Sequence, residues 1–348
     1  MQFASVVDLF CGVGGMAHGF VQEHFNVVAG IDVDESCRYP FERNNGAAFI
    51  RRDVARLPGR YLAGLYPPDD ITILVGCAPC QPFSRYTVRT TEDDKWKLLR
   101  SFARLIKQVR PDIVSMENVP ELLDHKVYVE FMQALESEGY FVSSNMVYCP
   151  DYGIPQTRER LVLLASRFGE MEIIKPTHRP EEYRTVQDVI RHLEPISAGQ
   201  VSAQDPLHRA RGLRETNMRR IMNTPPGGGW KDWPEELLLE CHKKTTGQSY
   251  VSVYGRMEWG KPAPTMTTHC GGLGNGRFGH PEQHRAISLR EAALFQTFPM
   301  NYEFIPPDIR VSNKDLSRHI GNAVPVRLGL IIAKSIKNHL RPHYATKA

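Results

Sequence analysis

The feature that most restricts what this chain can fold into is a glycine turn set between two apolar runs, the second closed by an acid. Residues 4–9, ASVVDL, are a short β-branched run leading into FCGVGGMA, where Gly12, Gly14 and Ala17 keep a G-x-G-x-x-A spacing. MAHGFVQEH then has helical character, and NVVAGI (26–31) is a second strand-like run ending at Asp32. Strand, glycine turn, helix and acid-tipped strand make a βαβ unit. Its glycines let a ligand approach the backbone, and its acid can accept hydrogen bonds from ribose hydroxyls. That describes a site for an adenosine-containing cofactor without saying which, and a tight turn alone would use the same glycines.

Further strand candidates follow in ITILVG (71–76), DIVSME (112–117), FVSSNMVY (141–148) and RLVLLAS (160–166), with helical stretches such as KLLRSFARLIKQV between them. This alternation predicts an α/β fold, a doubly wound and mostly parallel sheet. After about Phe168 the texture becomes rich in Pro, Gly, His and Arg and loses the α/β rhythm, which predicts a second, smaller and irregular domain. Helical patterning returns at SLREAALFQTFP (288–299), and VPVRLGLIIAKSIKNHL (324–340) is apolar enough to pack back on the sheet. The expected division is therefore a large domain over 1–167, a small one over 168–287 and a returning segment over 288–348. A chain of 348 residues is long enough for this division.

Seven cysteines, an odd number spread over the chain, do not form the even framework of a small secreted domain, and no eighteen apolar residues run together. A reduced cytoplasmic protein without a membrane span is expected. The net charge of +4 permits a polyanion partner held by local patches.

GCAPCQPFS (76–84) places Cys77 and Cys80 three apart. For a metal clip, the nearest H-x3-H is His280 and His284 and no second C-x2-C exists, so no metal is expected. For thiol redox chemistry the pair should open a helix, whereas Pro82 and a polar segment follow. The remaining reading takes Cys80 as a lone nucleophile at the carboxyl end of a central strand, where doubly wound sheets bind ligands, with Cys77 as a small apolar residue packed below it. A thiolate suits attack on an electron-poor ring carbon. MENVPE puts Glu117 at the next strand end, where a carboxyl group can hydrogen-bond or protonate a ring nitrogen, or serve as a surface acid. In QTRERLVLLA, Arg158 and Arg160 stand two apart at the start of a strand, so their side chains would point the same way to hold a carbonyl or phosphate, or form an edge-strand charge pair.

Read in order, DLFCGVGGMAHGF, GIDVD, GCAPCQPFS, ENVPE, QTRERLVLLA, RAISLREAALFQTFP and HIGNAVP resemble the ordered motifs of the DNA cytosine-5 methyltransferases of bacterial restriction-modification type. The resemblance runs from Val6 to about Ile336. It implies the S-adenosylmethionine-dependent methyltransferase fold with a target-recognition domain in the irregular middle region. It implies that Cys80 adds to C6 of a flipped-out cytosine, Glu117 binds the N3 and amino edge, and Arg160 with Arg158 holds the carbonyl and a nearby phosphate. For S-adenosylmethionine it implies Phe10 against the adenine, Gly12 and Gly14 under the methionine end, Asp32 on the ribose and Asp53 on the adenine amino group. Pro79, Leu98, Asn322 and Val324 would complete that pocket. Ser84 and Arg85 resemble the loop that closes over DNA.

In the middle region HRARGLRETNMRR carries Arg209, Arg211, Arg214, Arg219 and Arg220, which could contact phosphates or guanine edges or line a solvated helix face. The expected partners are double-stranded DNA and, functionally, a cognate restriction endonuclease, with the enzyme itself a monomer. Lys95 stands where many members of the family carry arginine, and Val326 where a second proline is common. An RNA-directed member of the same family would share most of these residues. A nicotinamide-dependent oxidoreductase would account for the glycine turn and Asp32 but leave Cys80, Glu117 and the arginine pair without a common purpose. A non-catalytic DNA-binding regulator would not need the nucleophile.

Overall fold

The computed structural model describes residues 4–79 and 92–344. Cys80, Ser84 and Arg85, named above as nucleophile and DNA-closing loop, lie outside the described residues. In chain order the elements are β1 (Ala4–Leu9), α1 (Gly15–Gln22), β2 (Asn26–Asp32), α2 (Arg38–Asn45), β3 (Ala48–Arg51), α3 (Gly59–Ala63), β4 (Ile71–Gly76), α4 (Glu92–Val109), β5 (Ile113–Asn118), α5 (Lys126–Ser137), β6 (Phe141–Tyr148), β7 (Gln156–Thr157) and β8 (Glu159–Ser166). Then come α6 (Val186–Ile190), α7 (Glu215–Met222), α8 (Glu240–Lys243), β9 (Ala263–Pro264), α9 (Leu289–Phe295), α10 (Asn313–Asn322) and α11 (Val326–Tyr344).

Seven strands form one sheet in the order β3-β2-β1-β4-β5-β8-β6. The pairs β1–β2, β1–β4, β2–β3 and β4–β5 are parallel, so the doubly wound, mostly parallel sheet expected from the sequence is present. β8 runs antiparallel to both β5 and β6. The reason is connectivity: α5 carries the chain across to β6, leaving one strand's width beside β5. The link from β6 to β8 is too short for a crossover helix, so the chain turns back into that gap. Strand β3 escaped the sequence reading because AFIR is four residues long and ends in a charge.

β1, β4 and β5 are almost wholly buried, as expected of strands covered on both faces. Val7, Leu9, Leu74, Val114, Met116, Leu161, Leu163 and Ala165 share one core with Leu99, Phe102 and Leu105 of α4 and Phe131 and Leu135 of α5. Strand alternation therefore puts Asp8, Glu117 and Arg160 on the opposite face. α1 and α11 meet at glycines: a Cβ on Gly19 would stand 2.2 Å from the Leu330 nitrogen.

The chain divides into two compact units. One comprises Met1–Tyr148, Glu159–Thr177 and Val324–Ala348 and holds the sheet; the other comprises Cys149–Arg158 and His178–Ala323. The second unit draws on a segment between β6 and β8 and on α9 and α10, beyond the stretch marked by its composition. The reason is pairing and side-chain bonding: β7 pairs with β9, and Gln156 Nε2 donates to Gln296 Oε1 and to the Phe295 carbonyl.

Within the second unit the core is polar as well as apolar. Arg285, fully buried, makes a bidentate pair with Glu291, both contacts at 2.7 Å. Trp230 stacks on His242, Tyr254 meets that ring edge-on, and Trp233 lies tilted to it. Among the described residues no helix is long and apolar enough to cross a membrane.

Candidate active site

Strand order reverses between β1 and β4, and in such sheets the ligand crevice opens at the carboxyl ends of the strands beside that reversal. Four segments of the first unit reach this edge: the glycine loop after β1, Asp32 at the end of β2, Cys77 to Pro79 after β4, and Glu117 with Asn118 at the end of β5. Motifs far apart in sequence are thus brought to one rim by strand order.

The loop after β1 is shaped by left-handed backbone. Gly12 has φ +50° and Gly14 φ +89°, and the latter caps α1. Phe10 has φ +58°, a conformation that non-glycine side chains rarely adopt and that often marks a functional site. Among the described residues, chain neighbours aside, no heavy atom lies within 4 Å of where a Cβ on Gly12 would stand, so these residues leave the loop open to an approaching ligand. Asp32 latches the loop: Gly12 N donates to Oδ2 at 2.9 Å and Asp34 N to Oδ1 at 3.0 Å. These bonds leave further acceptor lone pairs on each oxygen.

Two other cysteines, Cys11 beside this loop and Cys270 in the second unit, take no nucleophilic part. Burial pushes the Cys11 thiol well up, with Asp8 and Asp32 adding to the effect, so it stays protonated and inert. Burial likewise pushes the Cys270 thiol up to about 12. Burial is also the main cause holding Asp8 well above the usual carboxylate range, and the nearby Asp32 charge adds to it. Asp8 was not singled out in the sequence; an acid inside an otherwise apolar strand is the signal that marks it.

Glu117 is only 2% exposed. Cys77 Sγ donates to its Oε2 at 2.7 Å, and Arg160 Nε lies 2.9 Å from its Oε1. The Arg160 contact supplies charge but no aligned hydrogen bond, so among the described residues Oε1 is a buried acceptor without a donor. A buried carboxylate oxygen without an aligned donor retains lone pairs with which to accept from a ligand N–H. Asn118 Nδ2 donates to the Ala78 carbonyl at 3.3 Å, tying the loop after β4 to the end of β5. Cys77 is therefore not the apolar filler expected from the sequence; it contacts the carboxylate.

A family model of C-5 cytosine-specific DNA methylases matches residues 4–338. The chain belongs to that family. This methylase is 57% identical to the Type II methylase M.HgiDII of Herpetosiphon aurantiacus, over 97% of this chain and 96% of that protein. The Type II methyltransferase M1.HphI of Haemophilus parahaemolyticus is 29% identical, over 95% and 86%. The solved structure of a prophage-encoded E. coli protein, described as a DNA modification methyltransferase, aligns with a TM-score of 0.73 at 21% identity. That alignment covers 97% of this chain and 99% of that one and shows the shared fold.

The remaining expected site residues of the methylase fall in several places. Asp53 is exposed and accepts from Ala55 N at 2.9 Å, capping a short 3-10 turn. Pro79 is exposed, Leu98 is half-buried on α4, and Val324 is buried, all in the first unit. Asn322 is exposed at the end of α10 in the second unit.

Arg158 and Arg160 do not share a strand: β8 begins at Glu159, and Arg158 belongs to the second unit, where its Nη1 donates to the Met266 carbonyl at 3.1 Å. The two-residue alternation assumed for them therefore does not apply. β8 is also an inner strand, so the pair is not an edge-strand feature. In the second unit Arg209 is half-buried, and Arg211 donates to the Asn313 carbonyl at 3.2 Å. Arg220 is buried over the Trp233 and Tyr254 rings and donates to the Leu237 carbonyl, so it is a core residue and is withdrawn from any DNA contact.

Proposed function

We propose that this chain is a sequence-specific Type II DNA methyltransferase that transfers a methyl group from S-adenosylmethionine to C5 of a cytosine flipped out of duplex DNA, protecting host DNA from a cognate restriction endonuclease in the cytoplasm. The observation that carries this reading is the buried Glu117 carboxylate, whose Oε1 has no aligned donor among the described residues, on the same sheet edge as the glycine loop. The named relatives, a Type II methylase and a Type II methyltransferase, support the restriction-modification setting.

The residues fit the cofactor: Gly12 leaves space for close approach, Phe10 is held in a strained conformation beside it, and Asp32 retains lone pairs for ribose hydroxyls. When bound, S-adenosylmethionine supplies an electrophilic methyl group. Cys80 thiolate forms a bond to cytosine C6, and the ring electrons displaced toward C5 make that carbon nucleophilic. Glu117 holds N3 and the amino edge, and Arg160 sits beside it to balance charge at the ring carbonyl. After methylation, loss of the C5 proton returns its electron pair to the ring and expels the Cys80 thiolate. A base inside the duplex stack shields C6, which is why flipping belongs to the mechanism. The region 168–287 serves as a target-recognition domain, with Arg209 and Arg211 among its cationic side chains, and Ser84 and Arg85 contact DNA.

Methyl transfer to unmethylated genomic DNA, followed by bisulfite sequencing, tests this reading. Cytosines protected in one short context with the wild-type chain, and none with Cys80→Ser, are the expected outcome. Equal protection by Cys80→Ser would remove the covalent step. Methylation of RNA with DNA untouched would move the enzyme to the RNA-directed branch.

A further inference from the structure

We infer that Cys77 is a positioning residue for Glu117: its thiol fixes one carboxylate oxygen so that the other faces the target base. The inference rests on the reading of Glu117 as the base-gripping carboxyl.

Backbone register builds the contact. Gly76 of β4 is paired with Met116 of β5, so residue 77 falls beside residue 117. Alternation then places both side chains on the face opposite the α4 and α5 core, where Leu74 and Met116 lie. The two oxygens of Glu117 are consequently in different surroundings. Oε2 accepts from Cys77 Sγ at 2.7 Å, while Oε1 has Arg160 Nε at 2.9 Å without an aligned hydrogen bond.

The terminal torsion of a glutamate is broad and roughly two-fold, so holding one oxygen selects the plane of the carboxylate and hence the direction of the free one. A thiol suits this task because it is a weak, neutral donor. It orients the carboxylate without placing a further charge beside it. The sequence carries a second cysteine in GCAPC for which the nucleophile alone gives no reason. Contact with Glu117 supplies one.

Steady-state kinetics of full-length Cys77→Ala and Cys77→Ser, with S-adenosylmethionine and duplex DNA containing the methylated context, test the inference. Removing one neutral hydrogen bond from the transition state should lower kcat about tenfold in Cys77→Ala while KM for S-adenosylmethionine stays within about twofold. Cys77→Ser, of similar size but retaining a donor, should recover to within about threefold of wild type.

A kcat for Cys77→Ala within twofold of wild type, or serine and alanine variants equally slow, would overturn the inference. Should Cys77→Ala fail to fold by circular dichroism, Cys77→Val, which also lacks a donor but fills more of the thiol's space, takes its place, and a kcat within twofold of wild type overturns the inference. Turnover abolished by Glu117→Gln establishes the underlying reading separately, so a neutral result at Cys77 beside it rejects this inference alone.

Discussion

Asp32 is the residue at which a role implied by resemblance meets a structural duty. Its carboxylate receives two backbone N–H groups from the loops it joins. Asp32→Ala should therefore weaken S-adenosylmethionine binding by the charge-assisted hydrogen bond to ribose, roughly 1.5–3 kcal/mol, and also release the glycine loop. Asp32→Asn, which retains one acceptor oxygen, should fall between alanine and wild type. Calorimetric titration of the three proteins with cofactor measures this order, and an unchanged affinity in Asp32→Ala would place the ribose elsewhere. Asp32 was legible from spacing alone. Cys77 was not, because its partner lies forty positions away and meets it only through strand register.

At the scale of elements, the packing of α1 on α11 decides the sign of a substitution that helix propensity gets wrong. Alanine is favoured over glycine inside a helix by about 0.8–1 kcal/mol, so a sequence-based argument makes Gly19→Ala stabilising. The structure predicts the reverse. The added methyl group would stand 2.2 Å from Leu330 N and 2.4 Å from the Gly329 carbonyl carbon, backbone atoms that cannot swing away. Overpacking of this kind typically costs about 1–3 kcal/mol, and the midpoint of urea denaturation should fall accordingly. A midpoint equal to or above wild type would show that the two helices separate at little cost. The strand candidates were legible because β-branched runs ended at clear turns. The antiparallel course of β8 was not, since it follows from the space left beside β5 rather than from anything local to RLVLLAS.

For the molecule as a whole, the second unit should be sensitive to mild acid. Burial lowers His280 from its ordinary 6.5 to about 4, against an opposing pull from Glu291. Its Nδ1 accepts from the backbone N–H groups of Glu282 and Gln283, which a proton on that nitrogen would forbid. The unfolded chain thus takes up a proton at higher pH than the folded one. The associated stability is fully present above about pH 6.5 and is lost as pH falls toward about 4, with an upper bound of about 3 kcal/mol. His242 and His284, both lowered chiefly by burial, act in the same direction.

Glu291 behaves differently. Burial would raise it, but the Arg285 pair, with His280 and the Ser288 N–H, outweighs burial and holds it at about 2. Its contribution is complete above its ordinary 4.5 and disappears only as pH falls through about 2, below the histidine window. Thermal unfolding between pH 7.5 and 4.5 should therefore show a falling midpoint whose slope is reduced in His280→Asn, and an identical slope in that variant would assign the effect to other groups.

The sequence by itself determined the family, the βαβ entry to the fold and the residue types of the chemistry, because these are carried by short motifs whose spacing survives without any knowledge of distant contacts. Only the tertiary structure decided which side chains meet. It set Cys77 against Glu117 through the β4–β5 register, sent Arg158 and Arg160 to different units, and withdrew Arg220 from a basic run into an aromatic core. Each of these outcomes depends on which strands lie side by side and which face a residue occupies, and a chain read one window at a time contains neither.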